Sequence, residues 1–245
     1  MIKMFIILSI FSLNTYAKNE IVWLTFDMAP AWISSGDFKN QGMIDQQRKI
    51  IQKKLSNYRH VEYSVTPKRF KKEIRTKNKT YCNAAWLAGT GDEKYLTYSN
   101  ISDATLPMMI VTTKDKASMF GKKGDVVSLR NILMKKNLTL GVVSDRPYGK
   151  ELDKIISTHE GQSNIKFTSS NFTQPLRMVF KGRADYSIDY PESALYYSKI
   201  ESTKKSVSTF IIKEGSDCFP YYVVCVNTDE GKKVIKKVNL ILSEV

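Results

Sequence analysis

The sequence contains few of the residues that bind metal ions. Among 245 residues there are only 2 histidines and 3 cysteines. His60 and His159 lie far apart, and no Cys-x-x-Cys pair is present. Zinc sites and dithiol redox sites need such residues at close spacing. We therefore expect no metal site, and no other pattern in the chain indicates a cofactor.

Long hydrophobic runs are also scarce. The longest run covers residues 4–13, follows Lys3 and ends at the small residues around Thr15 and Ala17. It is too short to span a bilayer, which needs about 20 apolar residues. The pattern predicts a signal peptide over residues 1–17, with a buried N-terminal strand or an anchor helix as the alternative. We expect a mature chain without a transmembrane segment, located in the periplasm.

The charge is strongly positive, with 38 Lys and Arg against 24 Asp and Glu, a formal net charge of +14. A nucleic-acid-binding protein would also be basic. However, the lysines are spread over every predicted helix, and no finger, RNP or helix-turn-helix pattern is present. We expect no nucleic acid partner and attribute the charge to attraction toward anionic envelope surfaces.

An oxidising compartment would favour a disulfide among the three cysteines. Cys218 and Cys225 flank a predicted strand, FPYYVV, and seven extended residues span about 23 Å. Because a disulfide needs Cα atoms within about 7 Å, these two are not expected to pair. Cys82 opens another predicted strand, and antiparallel pairing would bring it to Cys225. We favour Cys82–Cys225, with Cys218 buried or free.

Apolar strands alternate with amphipathic helices along the chain. In the first half, strands are predicted at residues 21–26, 60–65 and 81–88, and helices at residues 43–55 and from Thr66-Pro67 onward. In the second half, strands are predicted at residues 107–112, 138–144, 165–169, 186–190, 207–213 and 221–227. Helices are predicted there at residues 126–136, 148–157 and 176–181, and an amphipathic helix closes the chain. This order predicts two α/β lobes, each with a mainly parallel sheet, and a ligand cleft at the carboxyl ends of the strands.

Several segments together resemble a known family. They are IVWLTFDMAPAWI and GDFKNQGMIDQ in the first half, GVVSDRPYG and GRADYSIDYP in the second, and the closing CVNTDEGKKVIKKVNLIL. In this order they resemble extracellular solute-binding protein family 3, which has the type II periplasmic binding fold. The resemblance implies a first lobe of residues 18–112 plus 210–245 and a second of residues 113–209. It also implies a monomer that binds a small polar solute without catalysis and delivers it to an inner-membrane permease or sensor.

The resemblance implies a set of ligand-binding residues. Asp27 and Trp32 follow the first strand and would line the cleft, where Trp32 would stack on the ligand or else pack as core. The turn after GVV would place Ser144, Arg146 and Tyr148 at a helix N-terminus, a natural anion site. There Arg146 would hold a carboxylate, or else face solvent.

Asp189 matches the acidic residue that receives a ligand's ammonium group, and its alternative role is an ordinary strand-end or cap residue. The neighbouring Asp185 is expected to be structural.

One departure from the family pattern concerns the ligand. Members that bind α-amino acids carry Thr-Pro-Glu-Arg after the third strand, whereas this chain has Thr90 within GTGDEK. Thr90 matches, but the arginine is absent, and Asp92 and Glu93 would repel a carboxylate. An ordinary amino-acid specificity is therefore not expected. The alternatives to a transport protein are a sensing or envelope-interaction module and, less favoured, an enzyme that uses Asp27 and Asp189 for proton transfer.

Overall fold

The computed structural model describes residues 19–169, 171–200, 206–216 and 218–244, so the predicted signal peptide, residues 1–17, lies outside the described residues. The strands are β1 (Glu20–Thr25), β2 (Arg59–Ser64), β3 (Thr80–Leu87), β4 (Leu96–Thr105), β5 (Met109–Thr113), β6 (Val126–Val127), β7 (Leu140–Val143), β8 (Ile165–Thr168), β9 (Tyr186–Asp189), β10 (Val207–Ile212) and β11 (Phe219–Val226). The α-helices are α1 (Met43–Lys54), α2 (Pro67–Thr76), α3 (Leu129–Leu133), α4 (Lys150–Thr158), α5 (Gln174–Phe180), α6 (Pro191–Ile200) and α7 (Asp229–Leu242).

The first sheet has the strand order β2-β1-β3-β11-β4. β1 runs parallel to β2 and β3, whereas β11 is antiparallel to both β3 and β4. The crossover helix α2 begins where the sequence predicts it, because Thr66 accepts a hydrogen bond from the Arg69 N–H (3.3 Å) and Pro67 occupies the first turn. This sheet, with α1, α2 and α7, forms lobe 1.

The second sheet has the strand order β6-β10-β5-β9-β7-β8. β7 is parallel to β8 and β9, and β5 is antiparallel to β9 and β10. This sheet and helices α3 to α6 form lobe 2. The predicted two-lobed α/β architecture is therefore confirmed, but both sheets are mixed, because strands from the crossover regions enter each sheet antiparallel.

Strand pairing also bears on the lobe boundaries. β5 and β10 pair with each other in the second sheet, although the predicted limits at residues 112 and 209 cut through both strands. We therefore propose that the chain crosses between the lobes just before β5, at residues 106–108, and just after β10, at residues 213–216.

The largest difference in secondary structure lies at residues 126–136, where the sequence predicts one helix. Val126 and Val127 instead pair with β10 as the short strand β6, and Ser128 then caps α3 by accepting the Asn131 N–H (3.3 Å). The β-branched pair suits a strand, and the serine suits a helix start. β4 and α6 were not predicted; β4 is a largely polar strand at the edge of its sheet.

The disulfide joins two central strands of lobe 1. Cys82 of β3 lies directly opposite Cys225 of β11, with the Cα atoms 4.0 Å apart. The predicted pairing is thus confirmed, and Cys218 is free and exposed. Within the described residues, no helix combines the length and hydrophobicity needed to cross a membrane.

Candidate functional site

The candidate site is the cleft between the lobes, where parallel strands of both sheets end. Phe26 follows β1 and Trp86 lies near the end of β3, while Arg146, Phe172 and Tyr190 come after β7, β8 and β9. A cavity of about 30 Å³ lies between these ends. Its lining is mostly apolar and consists of Phe26, Met28, Trp32, Ala85, Trp86, Leu87, Met108, Arg146, Pro147, Phe172, Tyr190 and Tyr221. This volume holds about two water molecules.

Aromatic side chains fill most of the cleft. Phe26 of lobe 1 meets Phe172 of lobe 2 edge to face, with ring centroids 4.8 Å apart. On its other sides Phe26 contacts Trp32 (6.3 Å) and Trp86 (5.8 Å). Trp32 is only 1% exposed. Trp32 therefore lines the cavity and also packs as part of an aromatic wall.

A buried ion pair on α1 holds the Trp32 loop in place. One Asp45 oxygen accepts hydrogen bonds from the Ile33 N–H (2.9 Å) and the Gly42 N–H (3.2 Å), and the other binds Arg48 (3.0 Å). The Arg48 guanidinium lies 5.7 Å from the centre of the Trp32 ring. No prediction from the sequence covers this pair, although two opposite charges three residues apart on a predicted helix favour an ion pair.

The central polar feature is an ion pair between Arg146 and Asp189. Two parallel hydrogen bonds of 3.1 and 2.9 Å join the guanidinium to the carboxylate. The side chains are 1% and 2% exposed. The Tyr190 N–H adds a bond of 2.9 Å to the carboxylate. The two residues that the sequence assigns to opposite ends of a ligand thus bind each other.

Aromatic rings surround the Arg146 guanidinium. It lies 5.1 Å from the ring centres of Tyr148 and Phe172 and 5.8 Å from that of Tyr190. Burial acts to lower the pKa of Arg146, but the negative charge of Asp189 outweighs it and raises the pKa above its usual value. The arginine is therefore a permanent cation whose charge is balanced inside lobe 2.

The predicted anion site at the start of α4 is occupied by the helix's own residue. The Tyr148 N–H donates to Asp153 (2.9 Å), and the Gly149 N–H also binds this carboxylate. Burial raises the pKa of Asp153, and these N–H groups oppose that shift. The Tyr148 hydroxyl is buried as well and accepts the Val143 N–H (2.8 Å). In this structure the donors of the turn are used locally, and their role toward a ligand stays a prediction.

The remaining predicted residues lie outside the cavity lining. Thr90 accepts a hydrogen bond from the Trp86 indole (3.2 Å) and donates to Asp92 (3.4 Å), so it supports the aromatic wall. Asp27 accepts hydrogen bonds from Ser34 (2.7 Å) and from Asn171 of lobe 2 (3.4 Å). Ser144 lies in a separate surface groove beside α4.

Most of the aromatic lining was not predicted. Of its aromatic residues only Trp32 is among the predicted site residues; the others are Phe26, Trp86, Phe172, Tyr190 and Tyr221. Phe26, Trp86 and Tyr190 each lie at or near the end of a predicted strand, where an open α/β sheet binds its ligand. The strand-end rule alone could therefore have selected these aromatic residues.

Comparisons with known proteins place the fold. No family model matches the chain, and no curated protein matches it. Among solved structures, an ancestral arginine-binding protein bound to arginine superposes with a TM-score of 0.70 at 16% identity, over 93% of this chain and 92% of that chain. The periplasmic VFT2 domain of Bordetella pertussis BvgS gives 0.63 at 17% identity, over 94% and 88% of the two chains.

A third solved structure is similar to the same extent. It is an ancestral amino acid-binding protein described as a precursor of cyclohexadienyl dehydratase, with a TM-score of 0.65 at 16% identity, over 93% of this chain and 88% of that chain. At such identities the likeness establishes the fold alone. The chain has the two-lobed fold of the type II periplasmic binding proteins.

Proposed function

We propose that the protein is an exported, non-catalytic binding protein that takes a small polar solute between its two lobes. The supporting observation is the cleft itself: parallel strands from both sheets end at one cavity, which is lined by Arg146, and the buried Asp189 balances the charge of this arginine. Open α/β sheets bind ligands at such strand ends. Entry requires the lobes to separate, because a cavity of about 30 Å³ is much smaller than a metabolite.

The ion pair limits which solutes fit. A ligand with one charge would bind one member of the pair and leave the other buried without a partner, which costs about 3–5 kcal/mol. A zwitterion can replace both interactions, with its carboxylate on Arg146 and its ammonium on Asp189. A neutral ligand can leave the pair intact. We therefore propose a zwitterionic or neutral solute whose planar or apolar part packs against Phe26, Trp32 and Trp86.

A thermal-shift screen tests this proposal. The panel contains zwitterionic amino acids with aromatic and aliphatic side chains, arginine, glutamate, simple amines, organic acids and neutral heterocycles. A ligand bound only by the folded protein adds about 2.7 kcal/mol of stability at a hundredfold excess over its Kd. We expect shifts with zwitterionic or neutral compounds and none with those of single net charge.

The matched variant is the double substitution Arg146→Gln with Asp189→Asn, which removes both charges together and keeps hydrogen-bonding groups. It should fold and lose the shift with a zwitterion. Shifts confined to arginine, glutamate or organic acids would refute the charge argument.

A second candidate is a sensing or envelope-interaction module on the same fold. It is favoured by direct contacts between the lobes: Tyr221 bonds to Tyr190, Thr105 to Glu192 (3.0 Å) and Lys71 to Asp145 (3.7 Å), in addition to Phe26 on Phe172. Small-angle scattering separates the two roles. A binding protein should change its radius of gyration with the active ligand class, whereas a module of fixed shape should keep one radius throughout the panel.

A further inference from the structure

A basic groove lies outside the cleft, on the face of α2. It has a volume of about 700 Å³ and is lined by Thr66, Lys68, Arg69, Lys71, Lys72, Arg75, Thr76 and Asp145. Five of these residues are cations, and Asp145 is the one acid among them. Asp145 belongs to lobe 2, so the groove lies where α2 of lobe 1 approaches the turn after β7.

The cations of this groove are only partly neutralised within the protein. Arg69 pairs with Glu73, and Lys71 lies 3.7 Å from Asp145. The Arg75 guanidinium lies 5.4 Å from the centre of the Tyr95 ring, and an uncharged ring does not neutralise its charge. Within the described residues, Lys68 and Lys72 have no ion-pair partner, and both are exposed. The groove therefore has a net positive charge that its own acids do not balance.

The spacing of these cations suits an extended anion. Lys68 and Arg75 are seven residues apart on one helix, about 10 Å along its axis, and Lys71 and Lys72 lie between them. Lysine and arginine both bind phosphate oxygens, arginine with two parallel hydrogen bonds. A single monovalent anion would balance only one of these charges.

We propose that this groove binds an anion with several clustered phosphate groups, either a soluble oligophosphate or the head groups of anionic phospholipids. The site is separate from the solute cleft, and it does not depend on the function proposed for that cleft. Bound phosphates would compete with Asp145 for Lys71, so the ligand would also weaken one contact between the lobes.

Calorimetric titration with tripolyphosphate tests the site. The double variant Lys68→Gln with Lys72→Gln removes two exposed charges from the groove. The matched control is Lys232→Gln with Lys236→Gln, which removes two exposed lysines from α7. In water, one unit charge roughly 6 Å from a unit anionic charge raises the affinity about threefold. Because the groove variant loses two such charges, we expect its affinity for tripolyphosphate to fall about tenfold. The control should change less than twofold.

A third variant should act in the opposite direction. Asp145→Asn removes the acid that faces the groove, and asparagine tolerates the positive φ of 63° at this position. We expect about threefold tighter binding of tripolyphosphate from the lost repulsion. A loss of binding in this variant, equal losses in the two lysine doubles, or no binding to the wild-type protein would overturn the proposal.

Sedimentation with phosphatidylglycerol vesicles, compared with phosphatidylcholine vesicles, identifies the source of the phosphates. If the protein binds the anionic vesicles and added tripolyphosphate releases it from them, the ligand is a lipid head group. Absence of vesicle binding, together with tripolyphosphate binding, supports a soluble oligophosphate. Vesicle binding that tripolyphosphate does not displace would overturn the groove as the site, and citrate binding as tight as tripolyphosphate would overturn the phosphate class.

Discussion

Asp189→Asn should destabilise lobe 2 strongly, because it leaves the Arg146 guanidinium buried without a counter-charge. The substitution changes almost no volume, so the loss is electrostatic. It removes the negative partner of two hydrogen bonds in a pair that is 1% and 2% exposed. Breaking one side of such a buried pair costs about 3–5 kcal/mol. In a protein of this size each kcal/mol lowers the Tm by about 2–4 °C, so a fall of roughly 6–20 °C is expected.

Urea unfolding followed by two probes measures this loss in the correct lobe. Trp23, Trp32 and Trp86 are the 3 tryptophans of the chain, and all belong to lobe 1. Trp32 and Trp86 also line the cleft, so tryptophan fluorescence reports the opening of the cleft as well as the unfolding of lobe 1, whereas far-UV circular dichroism reports the backbone of both lobes. If lobe 2 unfolds first, Asp189→Asn should shift the dichroism transition to lower urea and leave a second fluorescence transition, that of lobe 1, near its wild-type midpoint.

The matched control is Glu244→Gln, which removes one acid from an exposed pair with Lys54. Exposed pairs contribute at most about 1 kcal/mol. The double variant Arg146→Gln with Asp189→Asn should cost less than Asp189→Asn alone, since no uncompensated charge remains. If Asp189→Asn costs no more than Glu244→Gln, the pair is solvated, and the argument that it selects zwitterionic or neutral ligands fails.

Three further predictions concern stability. Replacing Cys82 and Cys225 with serine should cost about 2–5 kcal/mol in urea unfolding, because the disulfide closes a long loop with a sequence separation of 143; a loss below 1 kcal/mol would contradict this. Gly42→Ala should cost about 1–3 kcal/mol, since a Cβ there would lie 2.3 Å from the Ala31 carbonyl oxygen, and an unchanged midpoint would refute the clash. Burial acts to raise the pKa of Asp185, but Lys116 and the Thr139 N–H lower it overall. Its stabilisation is therefore complete above the ordinary pKa of 3.8 and is lost as the pH falls through the lower folded pKa. In urea unfolding, Asp185→Asn should therefore lose less stability than the wild-type protein as the pH falls below 3.8, and an equal loss in both proteins would contradict this.

Local sequence signals were sufficient to predict most of the secondary structure of lobe 1. The run IVWLTF, the Thr66-Pro67 helix start and the Cys82–Cys225 pairing each depend on neighbours in sequence or on simple strand geometry, and the structure contains all three. β4 escaped prediction because an edge strand has little apolar alternation to detect. Its place beside β11 is decided by pairing across more than a hundred residues.

The cleft was predictable in position but not in chemistry. Strand ends indicate where ligand-binding side chains gather, and the family resemblance named Trp32, Arg146 and Asp189 at such ends; their role toward a ligand stays a prediction. Whether a charged residue faces a ligand or another residue of the chain depends on tertiary contacts. Arg146 and Asp189 are separated by 43 residues, and only the parallel pairing of β7 with β9 brings them together.

The same pair gives a physical reason for the absence of an arginine from the loop after β3. An arginine after β3 would add a second cation to a cleft in which Arg146 is already neutralised by Asp189. The chain has Thr90 and Asp92 in that loop instead, and Thr90 supports the Trp86 indole. The wall contributed by lobe 1 is therefore aromatic, and the charges lie in lobe 2 as a balanced pair. If the cleft binds a solute as we propose, that solute must preserve this charge balance, and zwitterionic or neutral solutes do so better than ions of either sign.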